Sequence, residues 1–146
     1  FNSPGQVVIA GEKAAAEQAA TACKDAGAKR ALPLAVSVPS HCELMRPAAD
    51  QLDDALAAIN ITAPSINVVN NVDVSVESSA EAIKDALVRQ LYCPVQWTRT
   101  VEFLAAQGVE KIIEVGPGKV LTGLTKRIDK ALTSVAVNTP DTLADL

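Results

Sequence analysis

Two hydrophobic periods alternate along the chain. Residues 12–26 form an alanine-rich run that closes at Gly27 and predicts a helix. Leu44, Ala48, Leu52, Ala55, Leu56 and Ile59 then recur at helical spacing, opposite a face carrying Asp50, Asp53 and Asp54. Residues 79–92 and 94–107 predict two more helices, the second stopped by Gly108, with Trp97, Val101 and Leu104 on its inner face and Trp97 read as core. A last helix is expected over 119–130. Between these lie short apolar runs at 7–10, 31–38, 66–70, 109–115 and 134–138, each bounded by breakers or polar residues and each expected as a strand. Residues 72–78 alternate in polarity but read as a loop or edge piece, and the tail reads as a poor element. Strands alternating with helices predict an α/β layered fold with a mainly parallel sheet, in which 7–38 is a strand–helix–strand half of a small sheet covered by a helix.

One junction stands apart, at Val36-Ser37-Val38-Pro39-Ser40-His41-Cys42-Glu43-Leu44-Met45-Arg46-Pro47, because it carries the chain's single histidine. Pro39 has no N–H to lend a ladder and ends the expected strand. Ser40 and Glu43 stand at capping-box spacing before the helical run. Pro47 lies too deep for a first-turn proline if Ser40 is the cap. A short turn over 40–45 is therefore expected, with the main helix starting at Arg46 or Pro47. This reading puts His41 at the first helical position, where the positive end of the helix dipole would oppose protonation and leave an imidazole able to take a proton. Position alone leaves a second reading open, an ordinary surface histidine in a first turn.

Composition narrows the classes. A chain of 146 residues can bury a real core, and with 49% hydrophobic but 3% aromatic residues that core is aliphatic. A net charge of -4 argues against a general nucleic-acid binder, and no apolar run approaches membrane-spanning length. Cys23, Cys42 and Cys93 are scattered, form no C-x-x-C pair and, with one histidine, make a poor zinc set; reduced thiols in a cytoplasmic protein account for them. The chain opens on Phe1, two residues before a Pro4-Gly5 turn signal, which reads as a cut inside a folded unit.

Three motifs invite chemistry. Gly116-Pro117-Gly118-Lys119 lacks the glycine a phosphate loop needs at 113, where Ile113 stands. It also lacks the glycine a dinucleotide fingerprint needs at 121, where Leu121 stands. What remains is a tight strand-to-helix turn, with weak anion affinity at the helix start as the other option. Cys42 beside His41 suggests a thiol–histidine dyad, but sequence neighbours in a helical turn do not face one another. No G-x-S-x-G elbow exists in the chain. Read from its residues alone, this is an α/β domain with one candidate proton acceptor.

A family resemblance carries further. Phe1-Asn2-Ser3-Pro4-Gly5-Gln6-Val7-Val8-Ile9-Ala10-Gly11, Val38-Pro39-Ser40-His41-Cys42, Val88-Arg89-Gln90-Leu91-Tyr92-Cys93-Pro94-Val95-Gln96-Trp97 and Glu114-Val115-Gly116-Pro117-Gly118 closely resemble the bacterial malonyl-CoA:acyl carrier protein transacylases, over their C-terminal half only. The resemblance implies ping-pong acyl transfer in cytoplasmic fatty-acid synthesis, through a serine, an arginine and an amide donor that would all lie upstream of Phe1. By position, His41 resembles the general base and Gln90 the residue whose backbone carbonyl orients it. Asn2, Val36 and Val120 match substrate-lining positions. Ser40 is a residue that accompanies branched extender units in modular polyketide acyltransferases, but the stand-alone enzymes carry Val-Pro-Ser-His and use malonyl. The implied fold is an α/β-hydrolase-like large subdomain over 37–146 with half of a ferredoxin-like small subdomain over 1–36. Lys29, Arg30, Lys126 and Arg127 resemble a docking surface for acyl carrier protein, with solvated surface charge as the alternative. The implied partners are that carrier, a CoA thioester and the missing N-terminal half, with no nucleic acid, membrane, metal or redox cofactor. A non-catalytic α/β binding or interaction module, with His41 merely structural, is the competing expectation.

Overall fold

The computed structural model describes residues 1–144 and 146. They divide into two units, one built from Val8–Val95 and the other from Phe1–Val7 with Gln96–Leu146.

In the Val8–Val95 unit the expected helices form almost where their spacing puts them. Helix α1 spans Lys13–Asp25, is stopped by Gly27 in the left-handed region, and buries none of its residues. A 3₁₀ turn at Glu43–Met45 runs directly into helix α2, Arg46–Ala57, with Pro47 near its start where a missing N–H costs nothing. Helix α3 spans Ala80–Tyr92, and its cap Ser79 accepts the Ala82 N–H at 3.1 Å. Helices α2 and α3 pack on each other, and their buried residues are Ala49, Leu56 and Ala86. Between them, residues 70–77 make a tight loop closed by an isolated antiparallel bridge from Val69 to Val76.

The second unit holds the sheet. Strand β1, Lys111–Val115, pairs in parallel with strand β2, Thr133–Val137, in the register Lys111 to Thr133 through Val115 to Val137. Helix α5, Val120–Ile128, makes the crossover and buries Leu124 and Thr125. Helix α4, Trp97–Ala106, lies against α5 and buries Val101 completely. It starts three residues later than expected, because Gln96, non-helical at φ -98° and ψ 50°, is its cap. A short helix α6, Pro140–Ala144, packs on β2 where only a poor element was expected.

Three expected strands are not strands here. Residues 7–10 and 31–38 join no ladder, and 66–70 contributes only the Val69 bridge. Their apolar residues stand exposed, among them Ile9, Leu32, Leu34, Val36 and Ile66. Apolar alternation makes a segment competent to pair, but a strand needs a second segment beside it. The strand–helix–strand half-sheet over 7–38 is therefore absent, and the parallel order appears only in β1 and β2 among the described residues.

Candidate functional site

The end of helix α3 creates the site's key feature. Each helical carbonyl accepts from the N–H four residues on, so Arg89 accepts from Cys93 at 2.8 Å. The next carbonyl, of Gln90, would need an N–H at Pro94, which has none. His41 takes that place: its Nδ1–H donates to the Gln90 carbonyl at 2.8 Å, and its backbone N–H donates to the Leu91 carbonyl at 2.9 Å. A carbonyl can only accept, so Nδ1 carries the hydrogen and Nε2 of the neutral ring keeps its lone pair. His41 is exposed.

This geometry corrects two expectations. His41 is not a first helical residue: it lies two residues ahead of the 3₁₀ turn with φ 62°, a left-handed backbone. Its ring meets the carbonyl end of α3, not the amide end of its own helix as the sequence predicts. Nor does Ser40 form a capping box. Cys42 is the cap residue and makes no side-chain cap bond, while Glu43 turns forward to Arg46 through bonds of 2.8 and 3.4 Å. The hydrogen bond with Arg46 holds the Glu43 carboxyl below the usual carboxylate range. Arg46 in turn lies 3.5 Å above the ring of Tyr92, which with His41, Leu44 and Pro94 lines a shallow depression. The Cys42 thiol donates to the Pro39 carbonyl at 3.1 Å, which leaves no thiol–imidazole dyad.

The remaining residues singled out by sequence are spread over both units. Val36 is exposed in the unit that holds His41 and Gln90. Asn2 and Val120 lie in the other, where the Asn2 backbone donates to Gln6 at 3.1 Å and Val120 opens α5 with its side chain exposed. Lys29, Arg30, Lys126 and Arg127 are exposed, and Arg127 donates to the Gln6 side chain at 2.7 Å. At the Gly116–Gly118 turn the helix amides are already occupied. Glu114 accepts from the N–H groups of Leu121 and Thr122 at 3.1 and 2.7 Å, so the weak anion site is filled by the protein's own carboxylate. Partial burial raises the Glu114 carboxyl, but the Thr122, Leu121 and Val120 amides outweigh it and hold the group below its ordinary value. No cluster of metal-ligating side chains exists among the described residues.

Sequence reasoning passed over one group beside the site. Arg89 donates to both carboxylate oxygens of Asp73, at 3.0 and 2.6 Å, and to Asp85 at 2.6 Å. The side-chain amide of Asn71 donates to the Gln90 side chain at 3.3 Å. The i, i+4 spacing of Asp85 and Arg89 was visible in the sequence, whereas the reach to Asp73 exists only once the loop has folded.

No family model matches the chain, but relatives and solved structures do. It is 69% identical over 144 residues to the malonyl CoA-acyl carrier protein transacylase of Salmonella typhimurium, covering 99% of this chain and 47% of that one. It is 44% identical over 143 residues to the enzyme of that name from Bacillus subtilis, covering 98% and 45%. The acyl carrier protein S-malonyltransferase of Vibrio cholerae superposes with a TM-score of 0.96 at 66% identity, over 99% of this chain and 47% of that structure. A malonyl-transacylase solved in complex with a type II PKS acyl-carrier protein gives the same TM-score, 0.96, and the same identity, 66%, over 99% and 47%. The chain thus spans about half the length of the curated relatives it matches.

Proposed function

We propose that the chain belongs to the malonyl CoA-acyl carrier protein transacylase family, about half of whose length it spans, and that the complete protein transfers malonyl from CoA to the phosphopantetheine thiol of acyl carrier protein. His41 is the general base. The observation that carries this is the 2.8 Å bond from Nδ1–H to the Gln90 carbonyl, which sets the tautomer and leaves Nε2 as the proton acceptor.

The reaction follows from that single lone pair. A serine from the other half of the protein gives its hydroxyl proton to Nε2 as its oxygen attacks the malonyl thioester. Collapse expels the CoA thiolate, which takes the proton back from Nε2. The carrier's thiol then loses its proton to Nε2 and attacks the malonyl-serine ester, and the serine oxygen leaves with that proton. Protons and electron pairs balance over the cycle without a metal or redox group. Asn2, Val36 and Val120 line the malonyl path in this reading, and an upstream arginine pairs with the malonyl carboxylate. Residues 1–36 complete a ferredoxin-like small subdomain and 37–146 an α/β-hydrolase-like large one, for which the β1–α5–β2 crossover is the expected building unit. The setting is cytoplasmic bacterial fatty-acid synthesis. No observation favours the non-catalytic module.

Intact-mass analysis of the complete protein with malonyl-CoA tests the reading. A gain of one malonyl group, mapped to a serine and discharged by holo acyl carrier protein, is expected. Absence of the adduct would overturn it. For the carrier surface, replacing Lys126 and Arg127 by Glu is expected to slow transfer to acyl carrier protein by roughly 10-fold at low salt and less at high salt. Formation of the malonyl-enzyme should be unchanged. A carrier rate equal to wild type at low salt would show that docking lies elsewhere.

A further inference from the structure

Two non-glycine residues among those described adopt a left-handed backbone, His41 at φ 62° and Val74 at φ 61°. Val74 is β-branched and buried, so its conformation is one that its surroundings must impose. Those surroundings are specific. Asn70 accepts the N–H groups of Val72 and Asp73 at 3.0 and 2.8 Å, and its amide donates to Ser75 and to Glu77. The loop so braced presents two side chains to the last turn of α3. Asn71 holds the Gln90 side chain, and the Asp73 carboxylate takes both arms of the Arg89 guanidinium. Arg89 immediately precedes the Gln90–Leu91 pair, whose two carbonyls hold His41. The last turn of a helix is where carbonyls lose their partners and the backbone frays. Here that turn must stay fixed, because its geometry aims the imidazole.

We propose that the braced loop 70–77 fixes the reactive histidine from behind, with Asp73 acting through Arg89 as a positioning residue for His41. The inference rests on the reading of His41 as the general base. Arg89, gripped by Asp73, belongs to the helix turn whose carbonyls hold the ring. A two-pronged carboxylate–guanidinium contact suits this role because it restrains rotation as well as distance.

The test uses the complete protein and compares Asp73→Ala, Asp73→Glu, Asp85→Ala and His41→Ala. Asp73→Ala is expected to lower kcat on the order of 10- to 100-fold through misplacement of the ring, with KM for malonyl-CoA within about 2-fold of wild type. In ¹⁵N spectra the His41 ring, identified by its loss in His41→Ala, should pass from one Nδ1–H tautomer to a mixture. Asp73→Glu should recover most of the rate, and Asp85→Ala, which removes only the outer partner of Arg89, should leave rate and tautomer alone. If Asp73→Ala does not fold, Arg89→Lys, which keeps the charge but loses the fork, carries the same expectations. Wild-type kcat and an unchanged tautomer in Asp73→Ala, beside an inactive His41→Ala, would overturn the positioning role and spare the base. An active His41→Ala would overturn the base reading itself, and this inference with it.

Discussion

Replacing His41 by alanine in the complete protein is expected to lower malonyl transfer by on the order of 10²- to 10⁴-fold, the usual worth of a positioned general base. The ring supplies both the acceptor for the serine proton and the donor for the departing thiolate, so both half-reactions should slow together. Binding of malonyl-CoA should change little, because the carboxylate contact lies elsewhere in this reading. Alanine at φ 62° also adds backbone strain, which could by itself blur the result. His41→Asn separates the two effects: asparagine tolerates the left-handed region and has a similar size, but its amide is no base. Both variants should be equally slow, with the asparagine form the more stable to urea. Stopped-flow transfer rates and denaturant midpoints decide it. Near-normal turnover in either variant would remove His41 from the chemistry.

Leu34→Asp is expected to act in opposite directions in two settings. Leu32, Leu34, Val36 and Val38 repeat at every second residue and stand 71%, 57%, 71% and 49% exposed. Such a segment has an open apolar face and no strand beside it, which invites association. Expressed alone, the chain should therefore self-associate and form no malonyl-enzyme, and Leu34→Asp should reduce the association. On the proposed reading, the remaining half of the complete protein supplies a neighbouring strand and cover. There the same change buries an unpaired carboxylate and should destabilise by roughly 3 kcal/mol or more. Light scattering on the isolated chain and urea unfolding of the complete protein read the two arms. Unchanged stability in the complete protein would mean that the segment stays in solvent there.

The helices were legible because what makes them is local. Each hydrogen bond joins residues four apart, each apolar face repeats within a few turns, and Ser79, Gly27 and Gly108 mark ends with chemistry of their own. The same locality located the break between the 3₁₀ turn and α2 at Arg46 from the single fact of Pro47. One long-range contact also has a local signal: a proline four residues beyond Gln90 strips that carbonyl of its helical partner. The strands were less legible. Periodicity identified β1 and β2, but it marked 7–10, 31–38 and 66–70 with equal force although they carry no ladder.

By itself, then, the amino-acid order determined where the helices run, which proline frees a carbonyl, and which single imidazole the chain has to offer. Tertiary structure decided the orientation of that imidazole. Its partner lies 49 residues away, and the left-handed turn that delivers it contradicts the helical start that Ser40 and Glu43 predict. It also decided that Glu114 fills the amides behind the Gly116–Gly118 turn and that Asp73 grips Arg89. The physical reason is range. Periodicity and caps are written in neighbours a few residues apart, whereas a hydrogen bond across a fold depends on where two distant backbones come to rest, and no local pattern encodes that distance.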